Sequence, residues 1–493
     1  MLTKQWSSLK NGSDIRGVAS EGIAGMDINL TDEAVEAIMK GFVAFLANKY
    51  SLAADKITVA IGHDSRISAQ RIKAACIRAV TSVGAAVMDF SLCTTPAMFM
   101  CTIDDSLSVT GSVMLTASHL PFNRNGLKFF TPEGGLESAD ITEILTYAQD
   151  GANLPEGSGS VKEFDYLSRY AEHISGIIKR ETGLPKPFDG MKIAVDAGNG
   201  AGGFYAEKVL KVLGADVSGS QFLEPDGTFP NHIPNPEDKD AMKAISEAVI
   251  SSKSDLGVIF DTDVDRAAIV SDAGSEINKN ALIALISAVL MEEKKGTVVT
   301  DSVTSTGLKD FIENSLGGVH HRFKRGYKNV INEAKRLNAE GTYAPLAIET
   351  SGHAALRENY FLDDGAYLAT KIVIELARGN KFEEILSTLK MAAEEKEIRL
   401  NIKAQDFRNY GLKVIDELEK FAQNNKDCKI ADDNREGIRI TTPYGWILLR
   451  LSVHDPVMPL NMESDEIGGT NKNVEFFKEF FAQFDELDLS TYR

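Results

Sequence analysis

Apolar runs rich in β-branched residues alternate with segments of helical periodicity along most of the chain. Residues 56–63 (KITVAIGH) form one such run, and Ser68 follows at an N-cap position. The pattern after Ser68 places Ile72, Cys76 and Ala79 on one face, as in an amphipathic helix. Further strands of the same kind are predicted at residues 85–90, 191–196 and 296–300. Such alternation predicts α/β architecture, with largely parallel or mixed sheets flanked by helices.

The C-terminal part of the chain has a different pattern. Its predicted elements are a strand, a helix and two further strands, at residues 397–402, 409–421, 437–441 and 446–451. This order indicates a smaller α+β domain. Because 493 residues correspond to three or four domains at roughly 150 residues each, we predict three similar α/β domains and one α+β domain. Polar, turn-rich or charged stretches place the domains at residues 1–155, 156–275, 276–395 and 396–493.

Composition and charge exclude several classes of partner. Hydrophobic residues make up 43% of the chain and charged residues 25%, as in an ordinary soluble globular protein. The formal net charge of −18 opposes binding to nucleic acids and to anionic membranes. The longest apolar stretch, residues 281–291, is too short to span a bilayer. The same net charge repels phosphorylated metabolites, so a site for one would need local cations.

The cysteines and the N-terminal residues indicate the cellular compartment in which we expect the protein. Cys76, Cys93, Cys101 and Cys428 lack the spacing of zinc sites and of disulfide frameworks. Residues 1–16 contain no apolar segment of signal-peptide length and no Arg/Ser-rich transit pattern. We therefore expect reduced cysteines and a cytoplasmic location, or an organellar one if a presequence has been removed.

Three aspartates, Asp261, Asp263 and Asp265, alternate in a short loop between two predicted apolar strands. Carboxylates held this close repel one another unless a cation neutralises them, and Mg²⁺ prefers such oxygen ligands. The alternatives are a solvated acidic turn and a calcium-binding EF-hand loop, whose twelfth position would be Asp272. An EF-hand needs glycine where Arg266 stands, and it needs helices on both sides. Arg266 beside the acids suits a phosphate that bridges the guanidinium and the metal.

A candidate nucleophile lies in the turn-rich segment at residues 115–128. Ser118 follows a short apolar run and precedes residues rich in glycine, asparagine and proline, which would expose its hydroxyl. A serine needs an activating partner or a metal to act as a nucleophile, and His119 and Lys128 are close in sequence. By themselves, these residues also fit ordinary turn chemistry.

Residues 198–203 satisfy the G-x-G-x-x-G pattern after a predicted strand. A nicotinamide-dependent oxidoreductase is therefore an alternative, because this pattern also binds dinucleotide phosphates. The acidic residue expected after the following strand would be Glu224, which lies inside a turn-forming Glu-Pro-Asp-Gly segment. The other interpretation is a tight strand-to-helix turn that uses glycine for backbone reasons.

A polar segment at residues 349–353 is a candidate for binding a sugar. It follows a short apolar run and carries Glu349, Ser351 and His353, whose donors and acceptors suit sugar hydroxyls. Asp363 lies in an acidic segment shortly beyond. In isolation, residues 349–353 also fit an ordinary polar loop.

Two other segments are candidates for binding phosphate. Residues 324–328 form a basic turn, and a loop after a predicted strand carries Arg450, Ser452 and His454. Arginine, serine and histidine side chains in one loop can donate several hydrogen bonds to a phosphate. Each segment also fits a solvated polar turn.

In this order along nearly the whole chain, the motifs resemble those of the α-D-phosphohexomutase family, which includes phosphoglucomutase and phosphomannomutase. The segment around Ser118 is similar to the family's T-A-S-H-N-P loop, and the aspartate loop is similar to its D-G-D-G-D-R metal loop. Residues 349–353 are similar to its G-E-x-S-G-H sugar loop, and residues 450–456 to its R-P-S-G-T-E-P phosphate loop. Residues 13–17 and 62–66 resemble its D-I-R-G and G-x-D-x-R segments.

The resemblance implies a fold of three similar α/β domains and a smaller C-terminal domain around a central cleft. It also implies an intramolecular phosphotransferase that interconverts hexose 1-phosphate and hexose 6-phosphate, with glucose, mannose or both as the sugar. Ser118 would carry a phosphoryl group, transfer it to the free hydroxyl and form a 1,6-bisphosphate that reorients without leaving. The implied cofactors are Mg²⁺ and, as activator and intermediate, glucose 1,6-bisphosphate.

The resemblance further implies roles for individual residues. The implied Mg²⁺ ligands are the phosphorylated Ser118 with Asp261, Asp263 and Asp265. Lys128 matches the family's general base, with His353 and Arg16 as candidate helpers. The implied substrate-binding residues are Arg266, His119, Lys324, Glu349, Ser351, Arg439, Arg450, Ser452 and His454.

The sequence departs from the family pattern at several positions. Leu120 replaces the asparagine of the serine loop, and Thr262 and Val264 replace the two glycines between the aspartates. In the phosphate loop, His454 stands where the family has threonine, so an imidazole replaces a hydroxyl donor. We expect phosphate binding there to persist through the arginine and the serine of the same loop.

Three alternatives stay open at this level. Within the family, a phosphoglucosamine mutase is the runner-up to a glucose or mannose enzyme. The oxidoreductase rests on residues 198–203, and a non-catalytic sugar-phosphate-binding protein would need the sugar and phosphate loops but not Ser118. As partners we expect a small-molecule sugar phosphate, no nucleic acid and no membrane, and we expect a monomer or a small homo-oligomer.

Overall fold

The computed structural model describes residues 1–452 and 455–492, and the chain forms two compact units. Unit 1 comprises Met1–Asn278, Ser351–Ala354 and Leu362–Asn380. Unit 2 comprises Lys279–Thr350, Ala355–Phe361 and Lys381–Arg493. Each unit is therefore built from segments that are distant in sequence.

The helices are distributed over both units. They are α1 (Lys4–Ser7), α2 (Asp32–Tyr50), α3 (Ala69–Ser82), α4 (Thr95–Met100), α5 (Ser138–Asp150), α6 (Tyr166–Thr182), α7 (Lys239–Ser252), α8 (Lys279–Met291), α9 (Thr306–Asp310), α10 (Tyr327–Ala339), α11 (Gly365–Ala377), α12 (Phe382–Ile385), α13 (Phe407–Gln423) and α14 (Gly469–Phe481). Short 3-10 turns occupy Ala54–Lys56 and Arg357–Asn359, and π-helical segments occupy Tyr205–Leu210 and Phe311–Ser315. Among the described residues, no helix is both long enough and apolar enough to cross a membrane.

The strands are mostly short. They are β1 (Lys10–Asn11), β2 (Asp14–Val18), β3 (Thr58–His63), β4 (Ala86–Leu92), β5 (Gly111–Leu115), β6 (Arg124–Thr131), β7 (Gly134–Gly135), β8 (Val161–Glu163), β9 (Ile193–Asp196), β10 (Leu256–Phe260), β11 (Ala267–Ser271), β12 (Glu276–Ile277), β13 (Thr297–Thr300), β14 (Val319–Arg322), β15 (Leu346–Ile348), β16 (Ala354–Leu356), β17 (Leu362–Asp363), β18 (Glu394–Ile402), β19 (Lys429–Ile430), β20 (Ile438–Thr442), β21 (Gly445–Leu449), β22 (Val457–Ser464) and β23 (Leu487–Asp488).

The first sheet of unit 1 is mixed, with the order β1-β2-β6-β5-β3-β4-β8, and β7 pairs with β6. β3 is parallel to both β4 and β5, and β5 is antiparallel to β6. Helices α2, α3 and α5 bury their apolar faces against it, with Phe42 and Phe129 in ring contact at a centroid distance of 4.6 Å. Because β3 and β5 are parallel, the loops that follow them lie at the same edge of the sheet. The loop after β5 is the one that carries Ser118.

The second sheet of unit 1 has the order β12-β11-β10-β9. β9 is parallel to β10, and β10 is antiparallel to β11. Helix α7 covers one face with Met242, Ile245 and Val249. The glycine-rich turn after β9 and the aspartate loop after β10 therefore lie at the same sheet edge. They are in contact there, since the Ala201 N–H donates to the Thr262 carbonyl at 2.8 Å.

Unit 2 contains a helix-flanked sheet and an antiparallel sheet. In the first, β13 is parallel to both β14 and β15, and α10 packs against them with Val330 and Ala334. The antiparallel sheet has the order β19-β20-β21-β22-β18-β23. Helices α13 and α14 contribute Leu418 and Phe477 to its core.

The predicted fold class is confirmed for the part of the chain that the structure describes. Three helix-flanked sheets precede an antiparallel sheet with two helices, as expected for α/β segments followed by an α+β segment. The two apolar strands predicted on either side of the aspartate loop are β10 and β11. The four-domain division stays a prediction.

The predicted N-cap position of Ser68 is confirmed, but its hydroxyl contacts a residue outside the helix. Ser68 precedes α3, as expected, and the helical face with Ile72 and Ala79 is buried. However, the Ser68 hydroxyl does not cap the helix. It accepts a hydrogen bond from Asn125 Nδ2 at 2.9 Å instead, which connects the start of α3 to β6. A tertiary partner has taken the oxygen that a local cap would use.

Gly200→Ala tests the close packing of the glycine-rich turn. The new Cβ would lie 2.6 Å from the carbonyl oxygen and 2.8 Å from the Cα of Thr262. Because both atoms belong to the backbone, we expect the free energy of unfolding to fall by about 1–3 kcal/mol in urea titrations. The control is Gly176→Ala in α6, where nothing lies within 4 Å of the new Cβ. Helix propensity should make that variant more stable, by about 1 kcal/mol. Unchanged stability of Gly200→Ala would contradict the packing.

Candidate active site

The loop between β10 and β11 carries three buried aspartates. Carboxylate oxygens of Asp261, Asp263 and Asp265 all lie within 4.8 Å of one another. Val264 between them has φ of +66°, a left-handed conformation that costs a valine on the order of 1–2 kcal/mol. The Gly365 N–H donates to the Val264 carbonyl at 3.1 Å, and the valine side chain is fully buried. At Val264 the loop therefore has a left-handed backbone conformation, which glycine usually adopts, although the residue is a valine.

The three carboxylates differ in their affinity for a proton. Burial, followed by repulsion from Asp265 and Asp263, holds the pKa of Asp261 well above its usual value. Burial and the neighbouring Asp265 raise the pKa of Asp263 to about 6. Burial would also raise the pKa of Asp265, but nearby cations, above all Lys128, outweigh it and hold that pKa below its usual value. Asp261 and Asp263 therefore hold a proton more strongly than a free aspartate, and repulsion within the loop contributes to both shifts.

The aspartate loop fits a divalent cation. Asp263 Oδ1 and Asp265 Oδ1 are buried, and within the described residues neither has a hydrogen-bond partner. The second oxygen of Asp263 accepts a hydrogen bond from the Thr95 hydroxyl, and the Thr95 N–H donates to the Asp263 carbonyl at 2.9 Å. These contacts orient the carboxylate. Buried, unpartnered and pre-oriented carboxylate oxygens are a suitable ligand set for a hard cation such as Mg²⁺.

Ser118 lies in the loop between β5 and β6 with φ of +51°. Its Oγ donates to Asp261 Oδ2 at 3.1 Å and accepts from Arg266 Nη2 at 3.1 Å. The Ser118 N–H donates to Thr116 Oγ1 at 2.9 Å, which supports the turn. The structure therefore brings the serine to the first aspartate and the arginine, although they are separated by more than a hundred residues of sequence.

Arg266 connects the aspartate loop to the serine loop. Its Nε and Nη2 both lie 3.2 Å from Asp261 Oδ2, and its Nη1 donates to Asn235 Oδ1 at 3.0 Å. Nη2 also contacts His119 Nδ1 at 2.6 Å. Since a guanidinium can only donate, Nδ1 of His119 accepts, and the ring proton belongs on Nε2. Burial, assisted by the positive charge of Arg266, lowers the pKa of His119 to about 3, so this imidazole is neutral near pH 7.

Lys128 and His353 lie on either side of Asp265. Lys128 Nζ, on β6, donates to Asp265 Oδ2 at 2.8 Å. His353 Nδ1 lies 2.6 Å from Asp363 Oδ2 and 3.7 Å from Asp265 Oδ1. Burial would lower the pKa of His353, but Asp363 and Asp265 raise it to about 9. The site thus contains two cationic groups beside the best-ionised aspartate.

Arg16 lies on β2, opposite Gly126 of β6. Its Nη2 donates to Asp14 Oδ2 at 3.1 Å, and its charge helps to lower the pKa of His119, after burial and Arg266. A Cβ on Gly126 would meet the Ile15 carbonyl at 2.3 Å, so glycine is required for this approach. Arg16 therefore contributes positive potential to the serine side of the site.

Two residues of this site were not identified from the sequence as functional. Thr95 follows the strand β4, but nothing in its local pattern indicates a contact with Asp263. Asp363 belongs to the acidic segment noted beyond residues 349–353, and its pairing with His353 gives that segment a role. Its position after a predicted sugar loop was the only available signal.

The sugar loop is divided between the two units. Glu349 belongs to unit 2 and follows β15, and its Oε1 accepts the Gly326 N–H at 2.6 Å. Ser351 and His353 belong to unit 1, and Ser351 is buried. Lys324 is exposed in the basic turn that precedes α10. Within unit 2, the structure therefore brings Glu349 to the basic turn, and the sugar and phosphate roles of these residues stay predictions.

Glu436 of unit 2 also contacts the predicted phosphate-binding segments, and the sequence analysis did not identify it. Its Oε2 accepts the Ser302 hydroxyl at 2.6 Å and the Arg325 N–H at 3.1 Å. Arg450 Nη1 lies 4.0 Å from Glu436 Oε1. The carboxylate thereby holds the basic turn, the loop after β13 and the predicted phosphate-binding arginine in one network.

Arg439 and Ser452 have different surroundings from each other. Arg439 Nη1 donates to the carbonyls of Ser302 and Thr304 at 3.1 and 3.0 Å, and its guanidinium lies 3.5 Å from the ring centroid of Trp446. Burial lowers the pKa of Arg439, with the nearby Arg322 as the second cause. The Ser452 N–H donates to the Val457 carbonyl at 2.9 Å at the start of the predicted phosphate loop. His454 lies outside the described residues.

The glycine-rich turn is already engaged with the protein. The N–H groups of Gly198, Asn199, Gly200 and Ala201 donate to Asp196 Oδ1 and to the carbonyls of Phe222, Ala197 and Thr262, respectively. A dinucleotide pyrophosphate would need such N–H groups as its own donors. The turn instead packs against the aspartate loop. A Cβ on Gly200 would lie 2.6 Å from the Thr262 carbonyl oxygen, which agrees with the alternative interpretation of a tight turn that uses glycine for backbone reasons.

Comparison with known proteins agrees with this site. Three family models match in order, described as the phosphoglucomutase/phosphomannomutase alpha/beta/alpha domains I, II and III, over residues 7–153, 168–274 and 278–391. A phosphoglucomutase of Neisseria meningitidis is 31% identical over 467 residues, which cover 94% of this chain and 95% of that protein. A phosphomannomutase/phosphoglucomutase of Pseudomonas aeruginosa is 29% identical over 98% of this chain and 97% of its own length.

Solved structures show the same architecture. The structure of a phosphoglucomutase/phosphomannomutase family protein from Burkholderia thailandensis matches with a TM-score of 0.79 and 24% identity, covering 99% of each chain. A putative phosphomannomutase from Thermus thermophilus matches with a TM-score of 0.70 and 19% identity, covering 94% of this chain and 98% of the other. The ordered motifs, the buried aspartates beside Ser118 and the three consecutive family matches agree with one another. The chain therefore belongs to the phosphoglucomutase/phosphomannomutase family.

Proposed function

We propose that this protein interconverts hexose 1-phosphates and hexose 6-phosphates of glucose, mannose or both, by phosphoryl transfer through Ser118. The observation that carries the proposal is the contact of Ser118 Oγ with both Asp261 and Arg266, at 3.1 Å each, beside a trio of buried carboxylates. Phosphoryl transfer depends on positioning and charge neutralisation more than on new covalent chemistry. The names of the relatives support the same reaction class.

In the proposed reaction, the bond between phosphorus and Ser118 Oγ breaks as a bond forms between phosphorus and the free hydroxyl oxygen of the sugar. The product is a hexose 1,6-bisphosphate, which reorients and returns its other phosphoryl group to the serine. Glucose 1,6-bisphosphate would therefore also phosphorylate the unmodified protein and act as an activator. Arg266 Nη2 contacts the serine oxygen and neutralises charge that develops there.

The proton of the sugar hydroxyl is assigned to Lys128 Nζ. The Lys128 ammonium must first lose a proton to solvent. The amine then accepts the hydroxyl proton, and the carboxylate of Asp265 at 2.8 Å stabilises the ammonium that forms again. His353, oriented by Asp363 at 2.6 Å, is assigned the return of a proton to the serine oxygen. His119 Nδ1 accepts from Arg266 and fixes the guanidinium rather than exchanging protons.

Asp261, Asp263 and Asp265 are the residues that would hold Mg²⁺, together with an oxygen of the phosphorylated Ser118. When bound, the ion supplies neutralisation of the charge on the transferring group. Thr95 maintains the orientation of Asp263 through its hydroxyl and its N–H.

In unit 2, we assign Glu349 to the sugar hydroxyls and Arg450 and Ser452 to the phosphate that is not being transferred. Lys324 is exposed and adds positive charge beside Gly326, whose N–H holds Glu349. Ser351 is assigned to sugar binding from unit 1, and Arg16 to electrostatic support of the serine loop. Arg439 is assigned a supporting role, because its Nη1 donates to two backbone carbonyls of the loop after β13. The role of His454, the oligomeric state and the cytoplasmic location stay predictions.

Ser118→Ala should abolish mutase turnover on glucose 1-phosphate and mannose 1-phosphate and leave the fold intact, because the phosphoryl carrier is lost. The measurement is a coupled assay together with intact-mass analysis and peptide mapping. The wild type incubated with glucose 1,6-bisphosphate should gain one phosphate on the peptide containing Ser118, and the variant should not. Ser106→Ala, an exposed serine of the same unit, is the control and should behave as the wild type. Turnover retained by Ser118→Ala would remove the serine from the mechanism.

Asp263→Asn should weaken Mg²⁺ binding by at least about tenfold, because an amide oxygen replaces a charged ligand of the same shape. Turnover should fall with it. Isothermal titration with Mg²⁺ measures the binding without reference to activity. Asp272→Asn, at the exposed position that an EF-hand would use, is the control and should titrate as the wild type. An unchanged titration of Asp263→Asn would exclude the ligand assignment.

Arg450→Gln should raise KM for glucose 1-phosphate by about tenfold, the size expected for one charge-assisted hydrogen bond to phosphate. The value of kcat should change less, because the group that Arg450 would bind is not the one transferred. Arg435→Gln makes the same charge change at an exposed residue nearby and should leave both constants unchanged. If kcat falls and KM is constant, Arg450 does not bind substrate as assigned.

A further inference from the structure

Arg66 is an arginine of unit 1 whose side chain is wholly buried. It follows β3, which is parallel to β5, the strand that leads to Ser118. Burial of a guanidinium is unfavourable unless a counter-charge is close and its donors are satisfied. Asp64 Oδ2, also buried, lies 3.4 Å from Arg66 Nε and provides the counter-charge. The other two nitrogens of the guanidinium, Nη1 and Nη2, donate to backbone carbonyls.

Arg66 donates to four backbone carbonyls of the serine loop. Its Nη1 donates to the carbonyls of Pro121 and Arg124 at 2.8 and 2.9 Å. Its Nη2 donates to the carbonyl of Leu120 at 2.6 Å and to that of Ser118 itself. One planar group therefore fixes the loop along its whole course from the nucleophile to the start of β6. Lysine cannot replace this arrangement, because its donors radiate from a single nitrogen.

The opposite side of Arg66 contacts the segment at residues 225–229. The guanidinium carbon lies 5.4 Å from the ring centroid of Phe229, in cation–π range, and Arg66 forms an isolated backbone bridge with Gly227. A Cβ on Gly227 would lie only 2.3 Å from the Ser65 carbonyl oxygen. The two backbones are therefore in direct contact, and Arg66 is fixed from this side as well.

The same segment continues to the aspartate loop. The Asp226 N–H donates to the Asn199 carbonyl at 2.9 Å, and Asn199 belongs to the glycine-rich turn. In that turn, the Ala201 N–H donates to the Thr262 carbonyl at 2.8 Å, between the first two aspartates. Arg66 is thus hydrogen-bonded to the loop of the nucleophile on one side. On the other side, a continuous packed path leads from it to the loop that would hold the metal.

The backbone of Ser118 needs such support. Its φ of +51° is a left-handed conformation that costs a residue with a side chain about 1–2 kcal/mol. In this conformation its Oγ lies 3.1 Å from Asp261 Oδ2. A loop free to relax towards ordinary backbone angles would change the direction of Oγ. The conformation persists only if surrounding contacts over-determine it.

We propose that Arg66 is a positioning residue of the phosphoryl transfer, which holds the Ser118 loop in the conformation that brings the serine oxygen to the aspartate trio. The inference rests on the function proposed above. Arg66 reaches the reaction through four carbonyls and through the 225–229 segment, and it makes no assigned contact with the transferred group. It aligns the phosphoserine with a sugar hydroxyl that is itself held in place.

Misplacement of the loop should affect two competing reactions differently. A bound sugar hydroxyl approaches the phosphoryl group from one fixed direction, so an error of about 1 Å is expected to cost on the order of a hundredfold in transfer. Water is small, is not bound in one pose, and can approach a displaced phosphoserine from several directions. The ratio of transfer to hydrolysis should therefore fall. A substitution that only lowers the folded fraction leaves this ratio unchanged, because both rates scale with the amount of active protein.

The experiment compares the wild type with Arg66→Lys, which keeps the charge and removes the fork of donors. Each protein is phosphorylated with glucose 1,6-bisphosphate, and intact mass gives the extent of phosphorylation. One portion is mixed with Mg²⁺ and saturating glucose 1-phosphate to measure transfer, and one with Mg²⁺ alone to measure release of inorganic phosphate. We expect Arg66→Lys to lower the transfer-to-hydrolysis ratio at least about tenfold and to lower kcat with little change in KM.

Arg71→Lys is the matched control. Arg71 also donates to two backbone carbonyls, those of Ala19 and Leu30, and pairs with Asp32. Among the described residues it has no hydrogen bond or ion pair with the serine loop itself. The transfer-to-hydrolysis ratio of Arg71→Lys should equal that of the wild type. Phe229→Ala, which removes only the ring from the face of Arg66, is the second test variant if Arg66→Lys does not fold, and its ratio should fall in the same direction.

The outcomes separate the two proposals. If the wild type transfers phosphate to the sugar and the ratio of Arg66→Lys, or of Phe229→Ala in its place, equals the wild-type ratio, the role of Arg66 is overturned and the proposed function stands. An equal fall of the ratio in Arg71→Lys would also overturn it, since loss of an arginine that holds backbone carbonyls elsewhere in unit 1 would then suffice. If the wild type itself transfers no phosphate, the proposed function fails and the inference fails with it.

Discussion

Three carboxylates buried within 4.8 Å of one another are the constraint on which the site depends. Charges of the same sign cannot be buried together unless cations lie beside them. The chain meets this condition with Arg266 and Lys128, which lie 3.2 and 2.8 Å from aspartate oxygens, and with His353. Arg266 also donates to Ser118 Oγ at 3.1 Å, and Lys128 and His353 are the residues to which the proposed proton transfers are assigned. The electrostatic requirement of the aspartate loop and the chemical requirement of phosphoryl transfer are therefore satisfied by one set of residues.

Net charge and local charge act over different distances. The chain has a formal net charge of −18, which repels a phosphorylated sugar at long range. At ordinary ionic strength that field is screened within about 10 Å. Inside the protein, where screening is weak, the arginines and lysine of unit 1 and the cluster around Glu436 and Arg450 in unit 2 dominate. Acidic composition therefore does not conflict with binding an anion, provided that the cations are concentrated at the site.

Both loops of the candidate site contain a residue with a left-handed backbone. Ser118 and Val264 both have left-handed φ values, of +51° and +66°. The first belongs to the loop of the nucleophile and the second to the loop of the aspartates. Each is held by hydrogen bonds, to Thr116 in one case and from Gly365 in the other. Val264 stands where the family pattern has glycine, and burial of its side chain offsets the cost of its left-handed conformation.

The periodic pattern and the ordered motifs determined the architecture and most of the residues of the site. The strand β10 and the buried face of α3 follow from local periodicity, which depends only on neighbours in sequence. The tertiary structure alone decided which loops meet. The orientation of Asp263 by Thr95 and the hydrogen bonds from Arg66 to the serine loop join residues far apart in the chain. The pairing of His353 with Asp363 spans 10 residues and leaves no periodic signal either. The tertiary structure also decided that the glycine-rich turn packs against the aspartate loop, because its N–H groups have partners that no pattern could reveal. Contacts between distant loops leave no periodic signal, since they depend on which strand ends share a sheet edge.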